Sequence, residues 1–458
     1  MPASRARRRD PLATSLSTLP SGVTADVRLV RQTWTTIRFA NGRIHQPHFE
    51  RSTHVSFRVA EDQRLGTATT VDDSPSGLVR VRDAARALAR VAPVERKFLG
   101  FPGERSSSRA EVPYSAATAG LSPERATLIA ERILATADHE APGARIAGVV
   151  NVGTERRRVA NSSRLDRSDE LSAVQASVLV DRPDRDPPVS GWSEEGHWDY
   201  RQLDPERLGR EAAQRMAGSD PQPVEPGTYR VVLRGPALAE ALQFLATLGF
   251  SGHAELEGWS CLRRARGRRV APETVTLLDD PRSPATLPRA IDYEGTFTHR
   301  VPLIDHGIAR EPAIDLVTAG RLGRRLTGHA LPPESPWGEY GPEPTHLILR
   351  AGSANEEELI RETRRGLLVT RFHYVRVVDP GRGILTGMTR DGTYRIEGGE
   401  VVGPVRNLRF TESLLTLLRG LVLLGRESRI YASERGMFAT TTPAAAVASF
   451  RFTSATLF

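Results

Sequence analysis

The chain has one cysteine, Cys261, among 458 residues. A disulfide framework is excluded, and so is a metal site built from several thiolates. A reducing, cytoplasmic location is the expectation. Lysine is almost absent too: Lys97 stands alone, so nearly all of the basic charge is arginine. The formal net charge is +8. The arginines are interspersed with acids, as in residues 204–215 and 355–365. That pattern reads as solvated surface and does not favour nucleic-acid binding. No apolar run approaches the roughly 18 residues that a membrane span needs, so no membrane partner is expected. The basic start, MPASRARRRDPLATS, has no apolar stretch behind it and does not read as a secretory signal. The glycines of residues 381–387 are not followed by Lys and Ser/Thr, so they form no phosphate loop. No fixed-period repeat occurs, which excludes a solenoid.

What is present reads as an α+β protein: two small mixed α/β units, then a large β-rich C-terminal domain with a few helices. Residues 1–25 read as a disordered basic tail, 26–103 as a first unit, 114–220 as a second and 226–458 as the third. Gly, Ser and Pro mark linkers at 100–113 and 219–227. Residues 27–59 alternate like strands around Asn41-Gly42, a strong hairpin signal. Residues 76–92 carry Val79, Ala84, Ala87, Leu88 and Val91 at helical spacing. Ser122-Pro123-Glu124 starts a second helix, because serine caps and proline suits the first turn. Strands are expected at 144–153, 159–162 and 171–181, and a helix at 203–217. A buried-type strand at 229–233 leads into an apolar helix at 236–248. Beyond residue 270 the pattern is mainly β, interrupted by helices at 354–365 and 411–424.

Several segments carry a resemblance. RFANGRIHQ (38–46), AIDYEGTFTHRVPLIDHGIAR (290–310), TAGRLGRRLTGHA (318–330), GLLVTRF (366–372) and RIEGGEVVGPVRNLRFT (395–411) are each weak patterns. In this order they resemble the TldD/PmbA family over nearly the whole chain. The resemblance implies a zinc-peptidase context. In the family's active subunit a helix carries His-Glu-x-x-x-His, and a cysteine near the C-terminus adds a third ligand. On the corresponding helix, 236–249, Gln243 and Leu248 stand where the histidines would be, and Phe244 replaces the glutamate. No histidine occurs between Tyr200 and Gly252, and residues 427–447 hold no cysteine. The resemblance is therefore closest to the PmbA (TldE)-like branch. It implies a subunit without catalytic residues or a cofactor of its own. Its partner would be a TldD-like zinc peptidase subunit that holds the zinc, in a heterodimer or larger hetero-oligomer. The pair would act on peptides by proteolysis or by trimming a leader peptide. Two alternatives stay open: a metallopeptidase with unrecognised ligands, and a stand-alone homodimeric binding or regulatory protein.

Other residues carry weaker signals. On a strand, His253, Glu255 and Glu257 would share one face and could hold a metal, although a solvated strand face explains them more simply. Arg371, His373, Tyr374 and Thr389 are candidates for a substrate groove or partner surface. Strand alternation places Arg371 and His373 on one face and Tyr374 on the other.

Overall fold

The computed structural model describes residues 10–103, 111–186, 188–216, 218, 220–332, 341–432 and 439–456. Its first half is one antiparallel sheet with helices on one face. The strands are β1 (Thr24–Ala40), β2 (Arg43–Glu61), β3 (Arg64–Thr70), β4 (Arg145–Asn161), β5 (Asp166–Arg182) and β6 (Val189–His197). Their order is β3-β2-β1-β4-β5-β6. The segments read separately as 26–103 and 114–220 thus share a single sheet, joined where β1 pairs with β4 from Asp26↔Asn161 to Ala40↔Ala147. The Asn41-Gly42 turn has φ 50° and 76°, as a tight hairpin of that kind requires.

The helices of this half are α1 (Pro11–Ser17), α2 (Pro75–Val91), α3 (Ala116–Ala119), α4 (Pro123–Glu140) and α5 (Pro205–Gln214). Ser122 caps α4 by accepting a hydrogen bond from the Arg125 N–H. Residues 1–9 of the expected tail lie outside the described residues. Residues 10–25 are not a tail: Asp10 caps α1, and Leu12 is buried with Val27, Phe57 and Leu78. A short helix with one apolar face is easily taken for a disordered head. α4 and α5 cover Ile37, Phe39, Ile146 and Val150 on the same side of the sheet. Alternation turns the other set, including Gln32, Trp34, Glu155 and Arg157, toward the C-terminal half. Glu155 and Arg157 lie inside β4, which explains why two expected strands are one.

α2 lies hard against β3. A Cβ added at Gly66 would fall 2.2 Å from both the Ala85 carbonyl oxygen and the Ala89 nitrogen, which are backbone atoms with little room to move. Gly66→Ala is expected to cost about 1–3 kcal/mol by overpacking. A lowered urea midpoint with an unchanged slope would show this; an unchanged midpoint would contradict it.

The second half begins with β7 (Gly227–Leu233), α6 (Gly235–Phe250), α7 (Gly252–Leu256), β8 (Leu277–Asp279), β9 (Val301–Asp305), β10 (Ile308–Ala309), α8 (Leu316–Leu322), β11 (His346–Leu349) and α9 (Glu356–Thr363). It continues with β12 (Gly366–Asp379), β13 (Ile384–Glu397), β14 (Glu400–Pro404), β15 (Leu408–Ser413), α10 (Leu414–Arg419), β16 (Leu421–Leu424), β17 (Arg429–Ala432), β18 (Ala439–Thr442) and β19 (Ala445–Ala455). One sheet has the order β10-β9-β8-β11-β18-β17. The other strands follow β12-β7-β19-β15-β13, and pairing of β12 with β13 closes this ring into a barrel. The β-rich C-terminal half and the α+β class are as expected.

Every residue of α6 except Glu240 is buried. A helix that is apolar all round belongs in a core, and α6 packs within the large cluster that unites sheet and barrel. Each fully buried Leu or Phe contributes about 1.5–3 kcal/mol. The expected helix at 411–424 is shorter. Its uniformly apolar run carries no period, Gly420 ends α10, and β16 pairs with β19 instead.

Candidate functional site

Two elements frame a cleft of about 350 Å³ beside the central helix. α6 contributes Glu240, Gln243 and Phe244, and β12 contributes Arg371, His373 and Tyr374. The helix position and the strand position singled out in the sequence therefore meet. Gln243 donates from Nε2 to Thr440 Oγ1 at 3.3 Å. Phe244 and Leu248 are buried. A carboxamide, a phenyl ring and an isobutyl group do not form a zinc-binding set, which needs imidazole, thiolate or carboxylate donors. These residues do not fit that metal.

β12 departs from regular alternation at this point. Its pairing with β13 shifts register between His373 and Arg376, and Tyr374 has φ 52°. Such a backbone is uncommon for a bulky residue. The bulge brings the His373 and Tyr374 rings into an edge contact, 4.4 Å between centroids. Both therefore line the cleft, although strict alternation would separate them. Tyr374 is 63% exposed. Arg371 also lines the cleft, but its guanidinium is engaged. Its Nε donates to Asp391, and it lies over the Trp192 ring of β6 at 4.0 Å. Ser190 donates to the same aspartate at 2.6 Å, tying the barrel to the first sheet.

Thr389 is not part of the cleft. It is fully buried, and its hydroxyl accepts from the Leu408 N–H at 3.0 Å. His253, Glu255 and Glu257 do not lie on a strand face. Ser251 caps α7 there, and helical spacing turns Glu255 away from His253 and Glu257. Glu255 is buried between Arg266 and Arg324, whereas Glu257 is exposed. The local cap, and not the polar alternation, decides this segment. Cys261 is buried, and burial pushes its thiol up to about 12, which leaves it protonated and unreactive at neutral pH.

A second, larger cleft of about 940 Å³ was not signalled by any motif. It lies between the open face of the first sheet and the loops around β8 and β11. At its head Glu155 accepts from Gln32 at 2.7 Å and pairs with Arg289 at 2.9 Å and Arg157 at 3.1 Å. Burial opposes the Glu155 charge, but Arg289 and Arg157 outweigh it and hold the carboxyl down at about 2. Arg157 lies over the Tyr293 ring at 3.6 Å. The partners are far apart in sequence, so only the fold assembles them.

Residues 226–454 match the family described as PmbA/TldA metallopeptidase C-terminal domain, and residues 25–92 match domain 1 of the same family. A metalloprotease of Methanothermobacter thermautotrophicus is 28% identical over 240 residues, which cover 50% of this chain and 49% of that protein. Metalloprotease PmbA of Escherichia coli O157:H7 is 25% identical over 193 residues, 39% of each chain. The chain thus spans about half, or less, of the length of these curated relatives. The crystal structure of TldE from Thermococcus kodakarensis superposes with a TM-score of 0.85 over 94% of this chain and 96% of that one. At 21% identity that likeness concerns the fold.

Proposed function

Because this chain belongs to the PmbA/TldD metallopeptidase family, we propose that it is a non-catalytic subunit that pairs with a TldD-like zinc peptidase. The donor set on α6 carries this reading. Gln243, Phe244 and Leu248 occupy the positions where the family resemblance places the zinc motif, and two of them are hydrocarbon. No step of hydrolysis is assigned to this chain. The zinc and its activated water belong to the partner, and the pair acts in peptide proteolysis or leader-peptide trimming.

The contribution of this chain is a surface. The bulge holds Tyr374 out beside the α6 cleft, and Val377 and Val378 follow it at 40% and 57% exposure. An exposed aromatic with an arginine over its ring and exposed valines beyond is the composition expected of an interface anchor. The likeness to a TldE structure is compatible with this role.

Co-expression with a TldD-like chain that carries His-Glu-x-x-x-His tests the pairing. A complex of the two chains is expected, with its zinc retained by the partner when the chains are separated. Tyr374→Ala is expected to weaken the pair at least about tenfold, as loss of a buried aromatic anchor does. Two results would overturn the reading. One is stoichiometric zinc on this chain alone that is lost in His253→Ala. The other is a stable homodimer indifferent to the zinc-bearing chain.

A further inference from the structure

We propose that the larger cleft, on the open face of the first sheet, binds an uncharged stretch of extended peptide. It shares no lining residue with the α6 cleft. Its volume of about 940 Å³ lies at the upper end of the ~300–1,000 Å³ usual for ligand pockets.

The floor is a set of cross-strand rows from β1, β4 and β5. Gln32, Glu155 and Leu171 form the first row, Trp34, Gly153 and Ala173 the second, and Thr36, Asn151 and Gln175 the third. Successive rows lie two residues apart along the strands, or about 7 Å. That is also the spacing of alternate side chains on an extended peptide. A peptide lying along the strands therefore meets one row with every second residue.

Each row offers a different chemistry. In the third, the side chains of Thr36, Asn151 and Gln175 are half-buried and make no hydrogen bond among the described residues. A carboxamide presents a donor and an acceptor side by side, as a peptide bond does. Two amides and a hydroxyl in line complement a peptide backbone. In the second row, a Cβ at Gly153 would fall 2.5 Å from the Trp34 ring. The missing side chain lets the indole lie across β4 and, with Ala173, form an apolar step for a side chain. At the first row the one charge, Glu155, is paired with cations from beside the row. Glu155 and Asp169 face Arg157, and Glu155 also pairs with Arg289. Glu155 is thus committed to two guanidiniums, and Glu50 and Asp292 also line the cleft, so an acidic ligand would meet carboxylates there. Farther along the roof, His329 is matched by Asp279.

This inference rests on the peptide-handling reading above, yet its test needs no partner. The full chain alone is titrated against a fluorescently labelled peptide of about ten Gly, Ser, Ala and Leu residues, which spans ~30 Å when extended. Saturable binding by anisotropy is expected. Asn151→Ala/Gln175→Ala is expected to weaken it about tenfold or more, the loss of two net hydrogen bonds. Gln175→Glu is expected to weaken it as well, because it removes the donor and adds a charge. Both variants should keep the wild-type melting temperature, since neither amide has a bond within the fold to lose. The proposal is overturned if the wild type shows no saturable binding, or if the double variant binds as tightly as wild type. It is also overturned if an acidic peptide of equal length binds more tightly than the uncharged one. Peptide binding without capture of a zinc-bearing partner would remove the pairing and leave this site standing.

Discussion

Arg58→Ala is expected to lower unfolding free energy by about 3–5 kcal/mol, the usual cost of breaking a buried ion pair from one side. Arg58 lies on β2 with its side chain 9% exposed. It donates to Asp26 at 2.6 Å and to Glu294 at 2.7 Å. Both carboxylates are buried. Alanine would leave both carboxylates without this cation and would remove one of the ties between the first sheet and the 290s loop, which Arg157 and Asp169 also hold. Burial already pushes the Glu294 carboxyl upward against the pull of Arg58, and Asp315 and Asp292 push it the same way. Without Arg58 that carboxyl takes up a proton more readily, so the loss should be smallest in acid and grow with pH. Arg58→Met/Asp26→Asn/Glu294→Gln removes all three charges while keeping an acceptor for the Leu316 N–H, and should recover much of the loss. Urea unfolding of the two variants measures both effects. A loss below about 1 kcal/mol for the single variant would refute the account.

Acidification from about pH 6.5 to about 4 is expected to remove on the order of 3 kcal/mol through His346 alone. Burial depresses this imidazole to about 4, and Arg289 and His329 act in the same direction. The folded state thus holds it neutral. Its contribution is complete above the usual histidine value and is lost as pH falls toward about 4. His329 has the opposite sign. Burial opposes its charge, but Asp279, 2.6 Å from Nε2, outweighs that and raises it. Its contribution is complete below the usual histidine value and is lost as pH rises through the raised one. Asp279 serves both histidines, since its other oxygen accepts the His346 backbone N–H at 2.6 Å. These two groups place their shared optimum near neutrality. His346→Asn should flatten the acid limb of a stability-against-pH curve, and His329→Gln the alkaline limb. Unchanged limbs would reject the assignment.

Short-range physics made the regular parts legible. The Ser122 cap with its proline, the Asn41-Gly42 turn and the continuous apolarity of α6 each act within a few residues. Their outcomes match the expectations closely. Misreadings arose where a nearby competing interaction or tertiary pairing prevailed. The Ser251 cap wound residues 252–256 into a helix, although their polar alternation suggested a strand. Gly420 and pairing with β19 divided an apolar run that had no period to read. β6 was missed because VSGWSEEGH offers half-buried alternation without a run of branched residues. At the candidate site, residues of α6 and of β12 were singled out separately, and only the fold shows that they meet. The bulge at Tyr374 was not legible, since only the pairing register shows it. The Glu155 cluster was illegible because Arg289 comes from a distant segment.

The barrel's closure sets a schedule for synthesis. β7 is made near the middle of the chain, yet one of its neighbours is β12 and the other is β19. Until residues 445–455 have left the ribosome, β7 and β15 each expose an unpaired edge, and α6 lacks part of its apolar surroundings. Such a nascent chain is open to misassembly for as long as its second half is being translated. β1 has a similar but shorter wait for β4. A stalled or prematurely terminated polypeptide would therefore be a substrate for chaperones and quality-control proteases, and not a smaller working subunit.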